Sequence, residues 1–312
     1  MKQLVITERI CLTAHIVSTL FGLAGLLIVL PNPDIIANLP TFGQTVFQWS
    51  MATGGVGYIV FGAATMILYG SRTLGVGKTL SFFIPAVGLS LCSELLGTST
   101  GFPFGQYYYL SGLGYKIAGL VPFTIPLSWF YMGLSCYLLA RCGLNVVIKR
   151  GWWRHLLALV MASVLLTAWD LVLDPAMSQA PVPFWQFDEV GEFFGMPYRN
   201  LTGWLGTGLI FMGVAAIAWR KTPIALSRPQ LTVPLLVYLV NFLFGAVITI
   251  VSLDPRFILP VGLSILFGVI PAAVFWWTAK RPQEMVEDLL QTTISSQAEE
   301  NDQLNPTVEM QS

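Results

Sequence analysis

Charge is what this sequence has least of. Asp, Glu, Lys and Arg make up 10% of its 312 residues, while 55% are hydrophobic. Soluble domains carry about 25% charged residues. Too few polar side chains remain to cover a globule in water, and a mean hydropathy of +0.70 points to a bilayer as the solvent. Acids and bases balance to zero, so there is no basic excess to hold a nucleic acid, and none is expected as a partner. Histidine is scarcer still, with only His15 and His155. Membrane di-iron oxygenases hold their metals with many histidines, and no other ligand cluster replaces them here. An oxygen-dependent hydroxylase is therefore disfavoured and no metal site is expected. Each histidine is expected to pack or hydrogen-bond toward the cytoplasmic side. The four cysteines, Cys11, Cys92, Cys136 and Cys142, form no C-x-x-C pair and read as small apolar packing residues. A phosphate-binding loop is also lacking. Gly75-Val-Gly77-Lys78-Thr79 imitates its end, but Arg72 stands where the pattern needs Gly, and no strand precedes it.

What the sequence does have is apolar length. Eight segments, at roughly 11–30, 46–70, 78–97, 117–140, 155–174, 201–219, 232–251 and 257–278, approach the ~20 residues that a helix needs to cross a bilayer. The first lacks a small-residue cleavage site and reads as a retained helix rather than a signal peptide. The fold class is thus all-α, a polytopic bundle of about eight transmembrane helices over residues 1–281. The polar, acidic stretch 282–312 reads as a mobile cytoplasmic tail. Thirteen of the sixteen basic residues fall on one side of this layout, and only Lys116, Arg199 and Arg256 fall on the other. The positive-inside rule then puts both termini in the cytoplasm. Gly54, Gly57 and Gly62 are expected to allow close helix packing. The sequon Asn200-Leu-Thr202 opens a membrane helix and is set aside as a glycosylation signal.

Outside the tail and Glu8, the acids gather at the other face: Asp34, Glu94, Asp170, Asp174, Asp188, Glu189, Glu192 and Asp254. Asp188, Glu189 and Glu192 read as solvated loop residues. Asp170 and Asp174 are one helical turn apart, about 6 Å along the axis. Glu94 lies at a similar depth near the outward, C-terminal end of its helix. The helix dipole and the low dielectric both disfavour negative charge there. Ionisable groups at such depth are a functional hypothesis by default. Asp174, just before Pro175, either caps a helix end facing water or acts with the other two.

Two long outer loops, about 98–116 and 175–200, are dense in aromatics, and a faint echo relates them. Trp129 follows Pro122 at the spacing at which Trp204 follows Pro197, with an acid some 27–28 residues before each Pro. The loops are expected to face each other over a common pocket lined by Tyr107, Tyr109, Trp129, Trp185, Tyr198, Asn200 and Trp204. Aromatic belts form at membrane interfaces, but these rings concentrate beside the acids. A protonated acid among electron-rich rings, opening onto lipid, is what protonation of an alkene in a hydrophobic substrate requires.

The segments GTSTGFPFGQYYYLSGLG with VPFTIPLSW after it, AWDLVLDPAM and FGMPYRNLTGW resemble those of the integral-membrane carotenoid hydratases. That family includes bisanhydrobacterioruberin hydratase and the CruF-type γ-carotene 1′-hydroxylases (1′,2′-hydratases) of cyanobacteria. The resemblance implies addition of water to the terminal 1′,2′ double bond of γ-carotene or lycopene, with no cofactor. It also implies a carotenoid substrate within the bilayer and a downstream partner such as a carotenoid glycosyltransferase. From chemistry and depth, Asp170 and Glu94 are the expected acid/base pair, with Asp174 positioning water. Two rivals stay open at this stage. One is a cyclase or isomerase that uses the same protonation but excludes water. The other is a non-enzymatic carrier or carotenoid-binding protein.

Overall fold

A computed structural model describes residues 2–147, 151–220 and 224–284. The expected tail from 285 onward lies outside these residues, as do Lys149, Arg150 and Lys221. The chain starts with α1 (Lys2–Ala24), which continues through a π-helical turn (Gly25–Val29). A short α2 (Pro33–Ala37) leads to α3 (Thr41–Thr73) and α4 (Val76–Thr100). A loop holding β1 (Tyr107–Tyr109), β2 (Lys116–Ile117) and β3 (Val121–Pro122) precedes α5 (Thr124–Val147) and α6 (Trp152–Ser178). After β4 (Trp185–Phe187) come α7 (Tyr198–Ala218) and α8 (Arg228–Ser252). The last span combines a 3-10 turn (Pro255–Phe257), α9 (Ile258–Ser264), a second π-helical turn (Ile265–Val269) and α10 (Ile270–Thr278).

The protein is a multi-pass integral membrane protein built as an all-α bundle. Among the described residues, seven helical spans are long and apolar enough to cross a membrane. The eighth long helix, α5, has the length but is diluted by Ser, Tyr and Arg. Position explains its composition. Trp129, Tyr131, Ser135, Cys136 and Tyr137 are buried against neighbouring helices, so α5 faces protein where a peripheral span faces lipid. The bundle exterior carries the exposed apolar side chains, among them Ile6, Ile10 and Leu20 on α1 and Ile250 and Val251 on α8.

Two segment ends differ from the sequence reading, and both differences bear on the site. The fourth segment starts at Thr124 rather than near 117, because Lys116–Ile117 turn back on Val121–Pro122 in a small hairpin. The helix of Asp174 does not stop at Pro175 but runs on to Ser178. Asp174 is therefore buried, not a water-facing end.

Several polar contacts fix the bundle. Arg72 on α3 donates Nε and Nη2 to the two carboxylate oxygens of Glu8 on α1, at 2.6 and 2.8 Å. This bidentate pair ties α1 to α3. Deeper in, His15 bonds the Tyr58 carbonyl through Nδ1 (2.7 Å) and meets Asn241 Nδ2 through Nε2 (3.1 Å). Donation from Nδ1 to a carbonyl leaves Nε2 as the acceptor, so His15 is neutral in this arrangement. Tyr131 in turn donates to Asn241 Oδ1 at 2.8 Å. One histidine thus joins α1, α3, α5 and α8, a structural part as expected. All four cysteines are free thiols. The segment around Gly75 is a tight turn in which the Thr79 hydroxyl bonds the Gly75 carbonyl at 3.0 Å.

Candidate active site

Each expected acid arrives on its own helix face and meets donors from the loops. Glu94 lies on α4, more than a turn before that helix ends at Gly101 in a left-handed conformation (φ +78°). Its Oε1 accepts from Trp129 Nε1 on α5 at 2.8 Å. Its Oε2 accepts from the hydroxyls of Tyr109, at 2.8 Å, and Tyr107. Both tyrosines reach inward because β1 alternates: Tyr107 and Tyr109 are buried and Tyr108 points out. Burial, and then the adjacent Glu94 carboxylate, hold both phenols well above the usual tyrosine range, so they remain hydroxyl donors. Lys116 Nζ donates to the Tyr109 carbonyl at 2.6 Å and steadies the strand.

Asp170 and Asp174 share a face of α6 and are 1% and 2% exposed. Asp170 Oδ2 accepts from Asn200 Nδ2 at 2.8 Å. Asp174 Oδ1 accepts from Trp185 Nε1 at 2.6 Å. The remaining oxygen of each, Asp170 Oδ1 and Asp174 Oδ2, is buried without a hydrogen-bond partner among the described residues. Buried polar atoms are nearly always satisfied, so two orphaned carboxylate oxygens one turn apart mark a place for a ligand or water.

The two outer loops do face each other. β1 pairs antiparallel with β4, with Tyr107 opposite Phe187, Tyr108 opposite Gln186 and Tyr109 opposite Trp185. The residues of the sequence echo also meet. Trp129 stacks on Trp204 with ring centroids 4.1 Å apart and planes 25° apart. Trp169 packs edge-on to Trp204 at 5.8 Å, and Trp185 edge-on to Tyr109 at 6.0 Å. A nearly continuous set of rings surrounds the acids.

All of this encloses one cavity of about 420 Å³. Glu94, Asp170, Asp174, Tyr107, Tyr109, Trp129, Trp185, Asn200 and Trp204 line it. Tyr198 does not, contrary to expectation. It is 58% exposed and packs on Phe193. Tyr198 and Asn200 are two residues apart at the start of α7, so the helix turns them to opposite faces. Asp188, Glu189 and Glu192 are exposed, as expected. The sequence reading missed Trp169, which lines the cavity and adjoins Asp170 in the chain; Phe104, one of the outer-loop aromatics, lines it too. The sequence reading also missed the whole contribution of α1 and α3, whose cavity-lining residues carry no charged side chain to flag them. Among the described residues, no group of three His, Cys, Asp or Glu side chains is arranged to hold a metal ion.

A polytopic bundle with a buried cluster of acids, ringed by aromatics and lining one largely apolar cavity, defines the class: a multi-pass membrane protein with an internal cavity. The chain belongs to the carotenoid biosynthesis protein family, whose sequence profile matches residues 54–271. It is 38% identical over 127 residues to the bisanhydrobacterioruberin hydratase of Haloarcula japonica, which covers 40% of this chain and 41% of that relative. The match thus spans less than half the length of either protein. No solved structure matches the chain.

Proposed function

We propose that this protein is a carotenoid hydratase that adds water to the terminal 1′,2′ double bond of an acyclic carotenoid end. γ-Carotene and lycopene are the candidate substrates, as in the CruF-type enzymes. The observation that carries the reading is the pair of unpartnered oxygens, Asp170 Oδ1 and Asp174 Oδ2, on the wall of an aromatic-lined apolar cavity. Family membership and the hydratase relative support it.

The chemistry divides among the three acids by their hydrogen bonds. Glu94 accepts from three donors, one of them the indole N–H of Trp129, which can only donate. That set suits a carboxylate that keeps its charge. Asp170 and Asp174 each accept from one protein donor and keep one oxygen for the substrate side. In the proposed cycle, the Asp pair carries one proton and delivers it to C2′ of the alkene. The electron pair of the double bond forms the new C–H bond, leaving a tertiary cation at C1′. The faces of Trp129 and Trp204 and the Glu94 carboxylate stabilise that cation. Water adds at C1′, and its surplus proton returns to the Asp pair, which closes the cycle with no net proton consumed. Asn200 and Trp185 orient the two acids.

In the same reading, the termini are cytoplasmic and the cavity lies in the outer half of the membrane, supported by the split of thirteen basic residues against three. The test is turnover in lipid nanodiscs with lycopene or γ-carotene, without oxygen, in isotopically labelled water. A product heavier by one water, with its oxygen from solvent, is expected. An isomer of unchanged mass would replace the reading with a cyclase. Binding without any product would replace it with a carrier.

A further inference from the structure

The carboxylates occupy only one end of the cavity. The rest runs between α1 and α3, along Val17, Phe21, Gly22 and Gly25 on one wall and Met51, Gly54, Gly57 and Tyr58 on the other. The glycines here were expected to let helices touch, and Gly62 does so: a Cβ there would lie 3.0 Å from the His15 ring. Gly55 likewise admits the Gly112 carbonyl, 2.7 Å from where its Cβ would stand. Four other cavity glycines, Gly22, Gly25, Gly54 and Gly57, behave differently. A Cβ at Gly25 or Gly57 would meet nothing within 4 Å. At Gly54 it would meet only Ser50 Oγ at 3.6 Å, and at Gly22 only Phe244 Cε2 at 3.5 Å. Gly25 and Gly57 keep space open, and Gly22 and Gly54 meet one atom each at ordinary contact distance.

The open space has a direction. Val17, Phe21 and Met51 line the cavity and are also 57%, 51% and 38% exposed on the bundle surface, so the gap between α1 and α3 leads sideways to lipid. No charged residue lines this arm. Along the helix axes, its opening from Val17 to Gly25, or from Ser50 to Gly57, is about 10–12 Å tall. The same cavity is lined by Asp170 and Asp174, with their two unpartnered carboxylate oxygens.

Resting on the hydratase reading for the chemistry at the inner end, we propose that the α1–α3 slot is a lateral track for a flat, rigid polyene. The substrate enters from the bilayer with its reacting end first. The slot grips only the stretch next to that end, and the remainder of the chain stays in lipid. Gly25 and Gly57, each with open space where a Cβ would stand, leave room in the slot. A slot that grips only the stretch beside the reacting end does not read the far end, so substrates that differ only there are turned over alike.

The test uses the full chain in nanodiscs with two substrates. One is the intact carotenoid, and the other is a truncated analogue that keeps the terminal isoprene units but is too short to occupy the slot once its reacting end is seated at the acids. Gly57→Phe is expected to lower turnover of the intact carotenoid about 10- to 100-fold, the range that filling occupied space with one large side chain produces. Turnover of the short analogue is expected to stay unchanged. Gly25→Leu, on the opposite wall, provides a second variant. Gly88→Phe, at an exposed α4 position with open space around it, should alter neither substrate. Carotenoid binding, read from quenching of tryptophan fluorescence by the polyene, tests the slot without turnover, and Gly57→Phe should weaken it. Wild-type turnover of the carotenoid by Gly57→Phe and Gly25→Leu, or equal loss of both substrates, would overturn the slot and leave the hydratase reading standing. A wild-type protein that binds the polyene glycine-dependently but makes no product would do the reverse.

Discussion

Replacing Glu94 by Gln changes one atom and removes one charge, and the consequences separate structure from chemistry at this residue. Glu94 accepts three hydrogen bonds in a site where it is 3% exposed. A glutamine can keep its oxygen toward Trp129 Nε1, which has no other role than donor, and turn its amide toward Tyr107 and Tyr109. Hydroxyls accept as well as donate, so their oxygens can receive the amide protons. All the heavy-atom contacts survive. What is lost is the charge-assisted part of the bonds, about 1 kcal/mol each, set against the relief of burying no charge. The net stability change should fall within about 2 kcal/mol of zero. Glu94→Ala is different in kind. It leaves three buried donors without an acceptor, at about 1–3 kcal/mol each, a loss comparable to the whole stability of many domains.

Catalysis should reverse the order of what matters. If the Glu94 carboxylate stabilises a cation in a water-poor cavity, its neutral isostere should lower kcat about 10²- to 10³-fold, as loss of one preorganised electrostatic partner does elsewhere. The assay pairs thermal unfolding in nanodiscs with anaerobic turnover in labelled water. The expected result is Glu94→Gln folded near the wild-type Tm and nearly inactive, with Glu94→Ala poorly folded. Full turnover by Glu94→Gln would refute the reasoning and leave Glu94 as a purely structural acceptor.

Asp170→Asn should abolish hydration by about 10²- to 10⁴-fold while the protein keeps its fold, since the amide oxygen can still accept from Asn200. Full turnover by that variant would remove Asp170 from the mechanism. Asn200→Ala should lower kcat more than it raises KM, because it releases the orientation of Asp170 without touching the slot; a change in KM alone would make Asn200 a binding residue. Tyr198→Ala should leave turnover unchanged, as its side chain lies outside the cavity. For sidedness, Glu189→Cys in a background without the native cysteines should react with an impermeant maleimide added outside. Labelling only from the cytoplasmic side would invert the topology.

The parts legible in sequence were those that break the lipid rule. Helices followed from apolar length, and the candidate site from acids and aromatics where a bilayer would not hold them cheaply. The pairing of β1 with β4 was anticipated as two loops over one pocket, and the Trp129–Trp204 stack joins positions that the spacing echo had matched. The misreadings have equally local causes. Pro175 looked like a helix end, but neighbouring helices bury it and α6 continues. Tyr198 looked like a pocket residue because its neighbours are, but a helix turns by about 100° per residue and sends it outward. Gly54 and Gly57 looked like packing residues because glycine in a membrane helix usually is one. Only the empty space around their backbones distinguishes an approach between helices from room left for a ligand.

The unequal partnering of the three acids carries a further consequence for how water is handled. Both oxygens of Glu94 already accept from protein donors, three bonds in all, whereas Asp170 Oδ1 and Asp174 Oδ2 accept none. A water bridging two acceptors about a helical turn apart on α6 would sit on the side of the substrate that receives the proton. Proton delivery and water addition would then share one face of the double bond, and the product would carry both new atoms on that face. Turnover in heavy water with an end group whose two terminal carbons are isotopically distinguishable tests this directly. Addition of deuterium and oxygen to the same face is expected. Addition to opposite faces would assign the water to another part of the cavity wall and leave the Asp pair with the proton alone.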